Sequence, residues 1–204
     1  SFRHAVEILR SGSASLATDP QRPPPKIGTV KKLAPLAERG AEDAELLERV
    51  VDLYHAALGE SPEALAYVRS RGIDGEAVAH FRLGYANRTL GYRLPDKNRK
   101  AGAELRGQLA SLGVYRASGH EHLAGSLVIP LFDEHGRVVQ LYGRKILDTL
   151  RDGTPKHLYL PGPHRGIFNR AAVTTSEEVI VCEALIDALT FWSAGYRNVT
   201  STYG

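Results

Sequence analysis

The chain has 204 residues, of which 43% are hydrophobic and 24% are charged, and its formal net charge is +3. This composition excludes a disordered or fibrous chain and provides enough apolar residues for a sizeable core. No apolar run approaches the roughly 20 residues that a membrane helix needs, so we expect no membrane partner. The slight excess of basic residues permits a nucleic-acid partner without requiring one.

Two further features bear on the location and completeness of the chain. The single cysteine, Cys182, cannot form an internal disulfide, which favours a reducing, cytoplasmic compartment. The chain has no methionine, begins at Ser1 and ends directly after a strand-like stretch. We therefore interpret the sequence as a fragment of a longer protein.

The first 41 residues divide into a short apolar segment and a polar one. Residues 2–10 have apolar side chains at helical spacing, which predicts a short helix. Residues 11–41 contain Ser-, Gly- and Pro-rich stretches, with three consecutive prolines at positions 23–25. The proline-rich part cannot bury a core, so residues 11–41 are predicted to be a linker that is partly extended as polyproline II.

Helices are predicted for most of the segment that follows the linker. Residues 42–58 place Leu46, Val50 and Leu53 on one face, as an amphipathic helix does. Three further helices are predicted: one that follows the capping residue Ser61, has Pro62 at its first position and ends at Gly72, one that follows the capping residue Asp74, and one over residues 101–113.

The second half of the sequence changes to β-rich patterns. Two apolar runs in residues 126–146 flank the turn residues 133–136 and predict a hairpin, and residues 155–170 are predicted to be extended chain and turns. A βαβ unit with parallel strands is predicted from three segments: a buried strand at 179–182, a helix from Glu183 to about Ala194, and a short strand at 198–202. The predicted fold class is α+β, in which a helical half and a β-rich basic part lead into a parallel sheet.

Two carboxylates follow the predicted strand at 179–182. Glu183 stands at the carboxyl end of this strand, where ligands bind in open α/β sheets, and Asp187 follows one helical turn later on the same face. Hard oxygen ligands suit Mg²⁺, which needs only one or two protein carboxylates together with phosphate and water. Alternatively, two acids in the first turns of a helix simply interact with the helix macrodipole. The spacing alone leaves both interpretations open.

Basic and aromatic residues are concentrated just before the βαβ unit. The basic residues are Arg137, Arg144, Lys145, Lys156, His157, His164, Arg165 and Arg170, and the rings of Tyr142, Tyr159 and Phe168 lie between them. Cations can follow a phosphate backbone, and aromatic rings can stack on unpaired bases. The other interpretation is a solvated sheet face whose rings pack inward. A basic surface beside a carboxylate site is the combination that polymerising or cutting a nucleic acid requires.

The order of these segments resembles that in bacterial DnaG-type DNA primases, from the N-terminal part of their RNA polymerase domain into the Toprim fold. ALAYVRSRGIDGEAVAHFRLGYA (64–86) is similar to that family's YL..RGL....I..F.LGYA segment, and SLVIPLFDEHGRVVQLYGRKI (126–146) is similar to its R..FPI.D..GRVIGFGGR hairpin. TPKHLYLPGPHRGIFN (154–169) occupies the place of its PKYLNSPET..F.K segment. VIVCEALIDALTFWSAGYRNVTSTYG (179–204) is similar to the first Toprim motif.

The resemblance implies a domain organisation. Residues 1–10 would be the tail of a zinc-ribbon-like domain, 11–41 a linker, 42–172 the primase N-terminal subdomain and 173–204 the start of a Toprim domain. Zn²⁺ would then belong only to the preceding domain. The chain ends before the family's later Asp-x-Asp metal ligands, and Tyr159 and Leu160 replace the family's Asn-Ser pair. The LPGPHRG wording suggests a divergent branch, such as a phage, plasmid or other mobile-element primase.

The resemblance also implies roles for individual residues. Glu183 and Asp187 match the first Toprim acids, which serve a metal-dependent catalytic centre with Mg²⁺ or Mn²⁺. Three basic residues match those of the ridge that binds template or nucleotide beside that centre: Arg137, Arg144 and Lys156. Arg170 takes the place of a lysine there, which retains the charge but not the geometry. The implied partners are a single-stranded DNA template, ribonucleoside triphosphates and a replicative helicase.

The expected function is therefore that of a DNA primase, an enzyme that synthesises short RNA primers on single-stranded DNA. A Toprim nuclease or topoisomerase-like enzyme is one alternative, since it uses the same acids to cut a strand, but it does not explain the segments LGYA and GRVVQLYGRK. A second alternative is a non-catalytic, single-stranded nucleic-acid-binding module derived from a primase. The third is a globular domain with no nucleic-acid function, in which Glu183 has no catalytic role.

Overall fold

A computed structural model describes residues 42–202, and residues 1–41 and 203–204 lie outside the described part. The predicted helix at 2–10 and the predicted linker at 11–41 therefore fall outside it. Between residues 42 and 202 the chain folds into helices and two β-sheets, which confirms the predicted α+β class. No helix in this range is both long enough and apolar enough to cross a membrane.

The elements follow one another as a helical part, an antiparallel sheet and a parallel pair of strands. The helices are α1 (Asp43–Gly59), α2 (Pro62–Ser70), α3 (Gly75–His80), α4 (Lys100–Ser111), α5 (Arg170–Thr175) and α6 (Leu185–Ser193). The strands are β1 (Gly84–Tyr85), β2 (Ser126–Phe132), β3 (Val138–Lys145), β4 (His157–Tyr159), β5 (Ile180–Cys182) and β6 (Val199–Ser201), and a 3₁₀ turn, Leu90–Arg93, lies between β1 and α4.

The four helices predicted between residues 42 and 113 are present, close to their expected ends. Asp74 caps α3 as predicted, because its carboxylate accepts a hydrogen bond of 2.7 Å from the N–H of Ala77. Ser61 directly precedes α2, but its hydroxyl donates to the carbonyl of Ala57 at the end of α1 and makes no cap. Gly72 follows α2 with φ = +69°, the left-handed conformation that commonly ends a helix.

The antiparallel sheet has the order β1-β2-β3-β4 and contains the predicted hairpin. Its two faces pack against different layers. The α1 face contacts α1 and α4 through a cluster that includes Leu141, and the α6 face contacts α2, α3 and α6 through a cluster that includes Tyr142. Because successive residues of a strand point to opposite faces, Arg144 belongs to the α6 face and Lys145 to the α1 face.

The last part of the described chain is the predicted βαβ unit, with β5 and β6 paired in parallel and α6 between them in sequence. Two predictions about it are wrong. The helix begins at Leu185 with Ala184 as its N-cap, so Glu183 lies in the turn before the helix and does not share a helical face with Asp187. The strand is not buried on both sides, because Cys182 packs in the core whereas Val181 points the other way and is 60% exposed.

Aromatic stacking and polar contacts attach α6 to the helical part. The Trp192 ring stacks on His80 at 4.9 Å and meets Phe81 edge to face at 5.2 Å. The guanidinium carbon of Arg197 lies over the Trp192 ring, 3.4 Å from its centroid, and makes a cation–π contact. The Arg197 guanidinium also pairs with Glu76 of α3 at 2.8 Å. These contacts hold the end of α6 and the segment that follows it against α3.

A carboxyl group, Glu121, is buried between the sheet and α1 and is 8% exposed. One of its oxygens accepts a hydrogen bond from the Tyr54 hydroxyl at 3.2 Å, and the other accepts one from the N–H of Leu90 at 3.1 Å. Burial raises the pKa of Glu121 from 4.5 to about 7, against the opposing effect of these hydrogen bonds. The folded protein therefore holds a proton on Glu121 that the unfolded chain releases.

This raised pKa gives a pH dependence of stability. The pKa of Glu121 is higher in the folded protein than in the unfolded chain. Its contribution to folding stability is therefore fully present below pH 4.5 and is lost as the pH rises through about 7. The shift corresponds to about 3 kcal/mol at pH 8. Glu121→Gln is expected to remove this loss, because the amide can accept from Leu90 and donate to the Tyr54 oxygen.

The measurement is urea unfolding of wild type and Glu121→Gln at pH 5 and pH 8. The variant is expected to be more stable than wild type at pH 8 by up to about 3 kcal/mol, with a smaller difference at pH 5. Glu63→Gln, which changes an exposed acid in the first turn of α2, serves as control and is expected to show no such pH-dependent difference. An equal difference between Glu121→Gln and wild type at both pH values would contradict the assignment.

Candidate active site and nucleic-acid interface

Glu183 lies in the turn between β5 and α6, at the carboxyl end of the parallel pair. Its backbone is fixed there, because its carbonyl accepts a hydrogen bond from the Ser201 hydroxyl at 3.2 Å and the preceding carbonyl, of Cys182, accepts one from the N–H of Thr202 at 3.0 Å. Its side chain is exposed. The turn therefore presents a carboxylate to solvent at the edge of the sheet where α/β folds bind ligands.

Asp187 lies in the first turn of α6, and its side chain is also exposed. Its charge acts on the buried thiol of Cys182, whose pKa is raised first by burial and then by Asp187. This interaction places the Asp187 carboxylate near the end of β5, although Asp187 and Glu183 do not belong to the same helical face. The structure thus brings both predicted acids to one end of the βαβ unit.

The two acids fit a metal ion that takes few protein ligands. Within residues 42–202, no group of three or more His, Cys, Asp or Glu side chains is arranged to hold a metal ion. Zinc sites usually have three or four such ligands, so this pair does not fit zinc. Mg²⁺ is commonly bound by one or two carboxylates and completed by water and substrate phosphates, which fits Glu183 and Asp187.

A basic and aromatic cluster lies on the α6 face of the sheet, and we call it the Arg144 cluster. It consists of Tyr142 and Arg144 from β3, His157 and Tyr159 from β4, and His164. Strand pairing sets Arg144 opposite His157 and Tyr142 opposite Tyr159, with the two tyrosine rings 5.2 Å apart. His164 packs on Tyr159 at 4.4 Å. Tyr142 is only 2% exposed and packs in the core, so a ligand would meet the exposed His157 and His164 and the half-buried Arg144 rather than the Tyr142 ring.

Hydrogen bonding links His157 to Arg144 and Tyr142. The Arg144 guanidinium contacts Nε2 of the ring, and because arginine only donates, this nitrogen accepts. Nδ1 lies 2.7 Å from the Tyr142 hydroxyl oxygen, so the ring and the hydroxyl share a hydrogen bond. The pKa of His157 is lowered by burial and by the charges of Arg144 and Lys156, which agrees with a neutral ring.

Sequence reasoning did not single out Tyr67 and Arg71, which lie at the end of α2 beside this cluster. The Tyr67 hydroxyl is buried and makes no hydrogen bond within the described residues. The Arg71 guanidinium lies 5.1 Å from the centroid of the Tyr67 ring, and the Arg71 carbonyl accepts a hydrogen bond of 2.8 Å from the Thr190 hydroxyl of α6. Arg71 therefore joins the sheet side of the site to α6. In the sequence, Arg71 stands in the segment RGID at a predicted helix end, and nothing in that pattern indicated a binding role.

Arg137 lies far from the Arg144 cluster. It follows the hairpin turn, and the seven residues of β3 that separate it from Arg144 span about 23 Å. Its guanidinium pairs with Asp133 at 2.9 and 3.0 Å, and hydrogen bonding within the turn and this pairing lower the pKa of Asp133. Arg137 thus stabilises the hairpin turn, and its charge is partly neutralised there.

Lys156 and Arg170 are both exposed but lie apart from each other. Lys156 immediately precedes β4, and its carbonyl accepts a hydrogen bond of 2.9 Å from the N–H of Lys145, so it stays next to the Arg144 cluster. Arg170 begins α5. The preceding residue, Asn169, donates to the carbonyls of Arg197 and Val199 at 2.9 and 2.8 Å, which places it at the amino end of β6, away from the end that bears Glu183.

The fold and site together define a class of protein. An antiparallel sheet with a basic, aromatic face leads into a parallel unit that exposes carboxylates at its strand ends, as expected for a metal-assisted enzyme that acts on nucleic acid. A profile of the family described as the DNA primase catalytic core, N-terminal domain, matches residues 53–174. The chain belongs to this family of bacterial DnaG-type primases, as the resemblance of its segments predicted.

Individual relatives agree with the family. The chain is 34% identical to the DNA primase of Aquifex aeolicus over 173 residues, which is 78% of this chain and 33% of that protein. It is 26% identical to a DNA primase of Helicobacter pylori over 179 residues, 80% of this chain and 30% of that protein. The chain therefore spans about a third of the length of these relatives.

Solved structures show the same fold. The chain matches the Aquifex aeolicus primase structure, described as its zinc-binding and RNA polymerase domains, with a TM-score of 0.64 and 30% identity over 79% of this chain and 42% of that one. It also matches a structure of the DnaG primase catalytic domain bound to ssDNA, with a TM-score of 0.62 and 23% identity over 79% of this chain and 55% of that one. The chain has the fold of about half of a DnaG catalytic core.

Proposed function

We propose that the protein containing this chain synthesises short RNA primers on single-stranded DNA. Family membership and the carboxylates at the end of β5 support this function, and the single observation that carries it is that Glu183 and the Arg144 cluster lie on the same side of the antiparallel sheet. A growing primer requires a template held near a centre that activates phosphates. The match to a DnaG catalytic domain bound to ssDNA supports a single-stranded template.

Each residue has a proposed role in this reaction. Glu183 and Asp187 would hold Mg²⁺, or Mn²⁺ in its place, and the bound metal would neutralise negative charge on the reacting phosphates. Arg144 and Lys156 would bind phosphates of the template or of the incoming ribonucleoside triphosphate. Arg71, at the junction of α2 and α6, is proposed to contact the same ligand.

The remaining predicted residues have lesser proposed roles. The pairing of Arg137 with Asp133 argues for a smaller contribution to binding than that of Arg144. The position of Arg170 at the other end of the parallel pair argues for a contact outside the reacting centre. Residues 42–172 and 173–204 remain the proposed N-terminal subdomain and Toprim start, and a role in bacterial replication supports the cytoplasm as location and a helicase as a further partner.

The test is RNA synthesis by the full-length protein on single-stranded DNA with ribonucleoside triphosphates and Mg²⁺. The proposal predicts short RNA products that require all three components. Nicked DNA without RNA would instead support the Toprim nuclease alternative. Salt-sensitive binding of single strands with no product of either kind would support a non-catalytic module and would contradict the proposal.

Replacing Arg144 tests the nucleic-acid face. Arg144→Gln is expected to weaken single-stranded DNA binding roughly tenfold at low salt and to lower the slope of log affinity against log salt by about 1, because one phosphate contact is lost. Arg137→Gln removes the same charge from the hairpin turn and is expected to have a smaller effect, since Asp133 already pairs with it. Fluorescence anisotropy of a labelled oligonucleotide at several salt concentrations measures both. Equal effects of the two substitutions would contradict the assignment of the face.

A further inference from the structure

A second cationic site lies on the opposite, α1 face of the sheet, and the proposed primer synthesis does not use it. It is a cavity of about 350 Å³, and we call it the Lys145 pocket. Its polar lining consists of Arg88, Arg116, Glu121, His122, Lys145 and Thr154. Lys145 is adjacent to Arg144 in β3, so the alternation of side chains separates this pocket from the Arg144 cluster.

Hydrogen bonds hold two of the cations in place. The Arg116 guanidinium donates to Nδ1 of His122 at 3.2 Å and to the His122 carbonyl at 3.4 Å. Nε2 of His122 lies 2.8 Å from the carbonyl of Tyr159, which can only accept, so the ring carries its proton there. The Lys145 ammonium donates to the carbonyl of Ala124. These contacts use main-chain and neutral acceptors, so they leave both positive charges uncompensated.

The third cation, Arg88, is held in a backbone conformation that a side chain rarely adopts. Its φ is +69°, in the left-handed region where non-glycine residues are uncommon and strained. Its guanidinium lies against Gly125, where an added Cβ would come within 3.3 Å of Nη2. Strain of this kind persists where the surrounding structure requires it, and here it directs a guanidinium to the pocket.

One carboxyl faces these three cations. Glu121 lines the pocket and interacts with the charge of Arg88, but its two oxygens already accept hydrogen bonds from Tyr54 and Leu90 on the protein side. The pKa of Lys145 is lowered by burial and by the charges of Arg88 and Arg116, which shows that these cations repel one another. A bound anion would relieve this repulsion, because a cleft lined by charges of one sign concentrates ions of the opposite sign.

We infer that the Lys145 pocket binds a phosphate group, supplied either by a free nucleotide or pyrophosphate or by the backbone of a single strand. Two planar guanidinium groups and an ammonium group line the pocket together, and such groups donate hydrogen bonds to the oxygens of a phosphate. The Thr154 hydroxyl adds a neutral donor. The cavity is larger than one phosphate needs and lies within the size range of small-ligand pockets.

The test is isothermal titration calorimetry of the 204-residue chain with two probes, inorganic pyrophosphate and a twelve-nucleotide oligothymidylate. The variants are Arg88→Asn, which removes the charge while keeping a residue that tolerates a positive φ, and Lys145→Gln. Lys97→Asn removes one cation from an exposed position and serves as the matched control. Thermal unfolding of each variant checks that it remains folded, and Arg116→Gln replaces either variant that does not.

Each outcome decides for or against the pocket. Weakening of pyrophosphate binding by about tenfold or more in Arg88→Asn and Lys145→Gln, with Lys97→Asn unchanged, would support the pocket as a site for free phosphate compounds. The same loss for the oligonucleotide alone would support a backbone phosphate as the ligand. Binding of neither probe by the wild type, or equal binding of both probes by the pocket variants and Lys97→Asn, would overturn the inference.

The same titrations separate this inference from the proposed function. Glu183→Gln and Arg144→Gln change the α6 face, so they are expected to leave in place the part of pyrophosphate binding that depends on Arg88. A full-length protein that makes no RNA but whose pyrophosphate binding depends on Arg88 would therefore contradict the proposed primer synthesis and support the pocket.

Discussion

Glu183→Gln is expected to reduce primer synthesis by the full-length protein at least about 1,000-fold, the largest effect on activity that the structure predicts. The substitution keeps the size of the side chain and removes the charge that a Mg²⁺ ion requires. Little stability depends on this side chain, because Glu183 is exposed and the hydrogen bonds that fix the turn come from its backbone. Folding and binding of single-stranded DNA are therefore expected to be retained.

The matched control for this experiment is Glu178→Gln. Glu178 is an exposed acid just before the amino end of β5. Its replacement by glutamine therefore changes the net charge by the same amount as Glu183→Gln, but at the opposite end of the strand. We expect its primer synthesis to match that of the wild type when incorporation of labelled ribonucleotide is measured. Equal activity of the two variants would show that the acids after β5 serve only the helix. Asp187→Asn is expected to fall between them, because Asp187 also stabilises the first turn of α6.

Gly84→Ala is expected to destabilise the fold by about 3 kcal/mol or more. Gly84 belongs to the LGYA segment and forms β1, which lies directly on α1. An added Cβ would come within 2.7 Å of the Tyr54 Cβ and 2.8 Å of its carbonyl carbon. Neither atom belongs to the mobile end of a side chain, so β1 and α1 would have to separate.

Separation of β1 from α1 would also affect neighbouring contacts. The ring of His55 is 2.7 Å from the carbonyl of Leu83, beside β1, and Tyr54 binds the buried Glu121. Gly59→Ala is the control, because Gly59 ends the same helix with no atom within 4 Å of an added Cβ, and it is expected to be neutral or slightly stabilising. Urea unfolding measures both variants. A loss below about 1 kcal/mol for Gly84→Ala would contradict the packing of β1 on α1.

The sequence predicted those parts of the fold that local chemistry determines. An aspartate such as Asp74 caps a helix through the N–H groups two or three residues later, so the cap follows from local sequence. The hairpin of residues 126–146 follows from its two apolar runs and the turn between them. The parallel pairing of β5 and β6 follows from the connection through a helix. The two-residue strand β1 and the six-residue helix α5 were not predicted, because both are too short to show a period and α5 lacks the side-chain cap by which Asp74 marks the equally short α3.

The errors in the predicted site came from tertiary context. The acids Glu183 and Asp187 were correctly placed after β5, but the strand's end and the N-cap at Ala184 delay the helix by two residues. Arg137 looked equivalent to Arg144 in sequence, and only the hairpin geometry shows that Asp133 pairs with it at the far end of β3. Such a partner depends on the turn conformation, which composition alone does not specify.

The Lys145 pocket was missed for a different reason. Arg88, Arg116 and Lys145 are separated by 28 and 29 residues along the chain, and each alone resembles an ordinary surface charge. The turn after β1, the loop before β2 and the end of β3 bring them together. A cluster made by three distant segments becomes visible only in the folded chain.

The measurement that tests the central claim most directly is iron-dependent cleavage of the full-length protein. Fe²⁺ that replaces Mg²⁺ at a site generates hydroxyl radicals on addition of ascorbate and peroxide, and these cut the backbone next to the metal. Because Glu183, Asp187 and the end of β6 meet at one edge of the parallel pair, cuts are expected near residues 183–187 and 201–202. Excess Mg²⁺ should suppress them, Glu183→Gln should abolish them and Glu178→Gln should not. Cuts elsewhere, or cuts at this edge that persist in Glu183→Gln, would contradict a metal-dependent centre after β5.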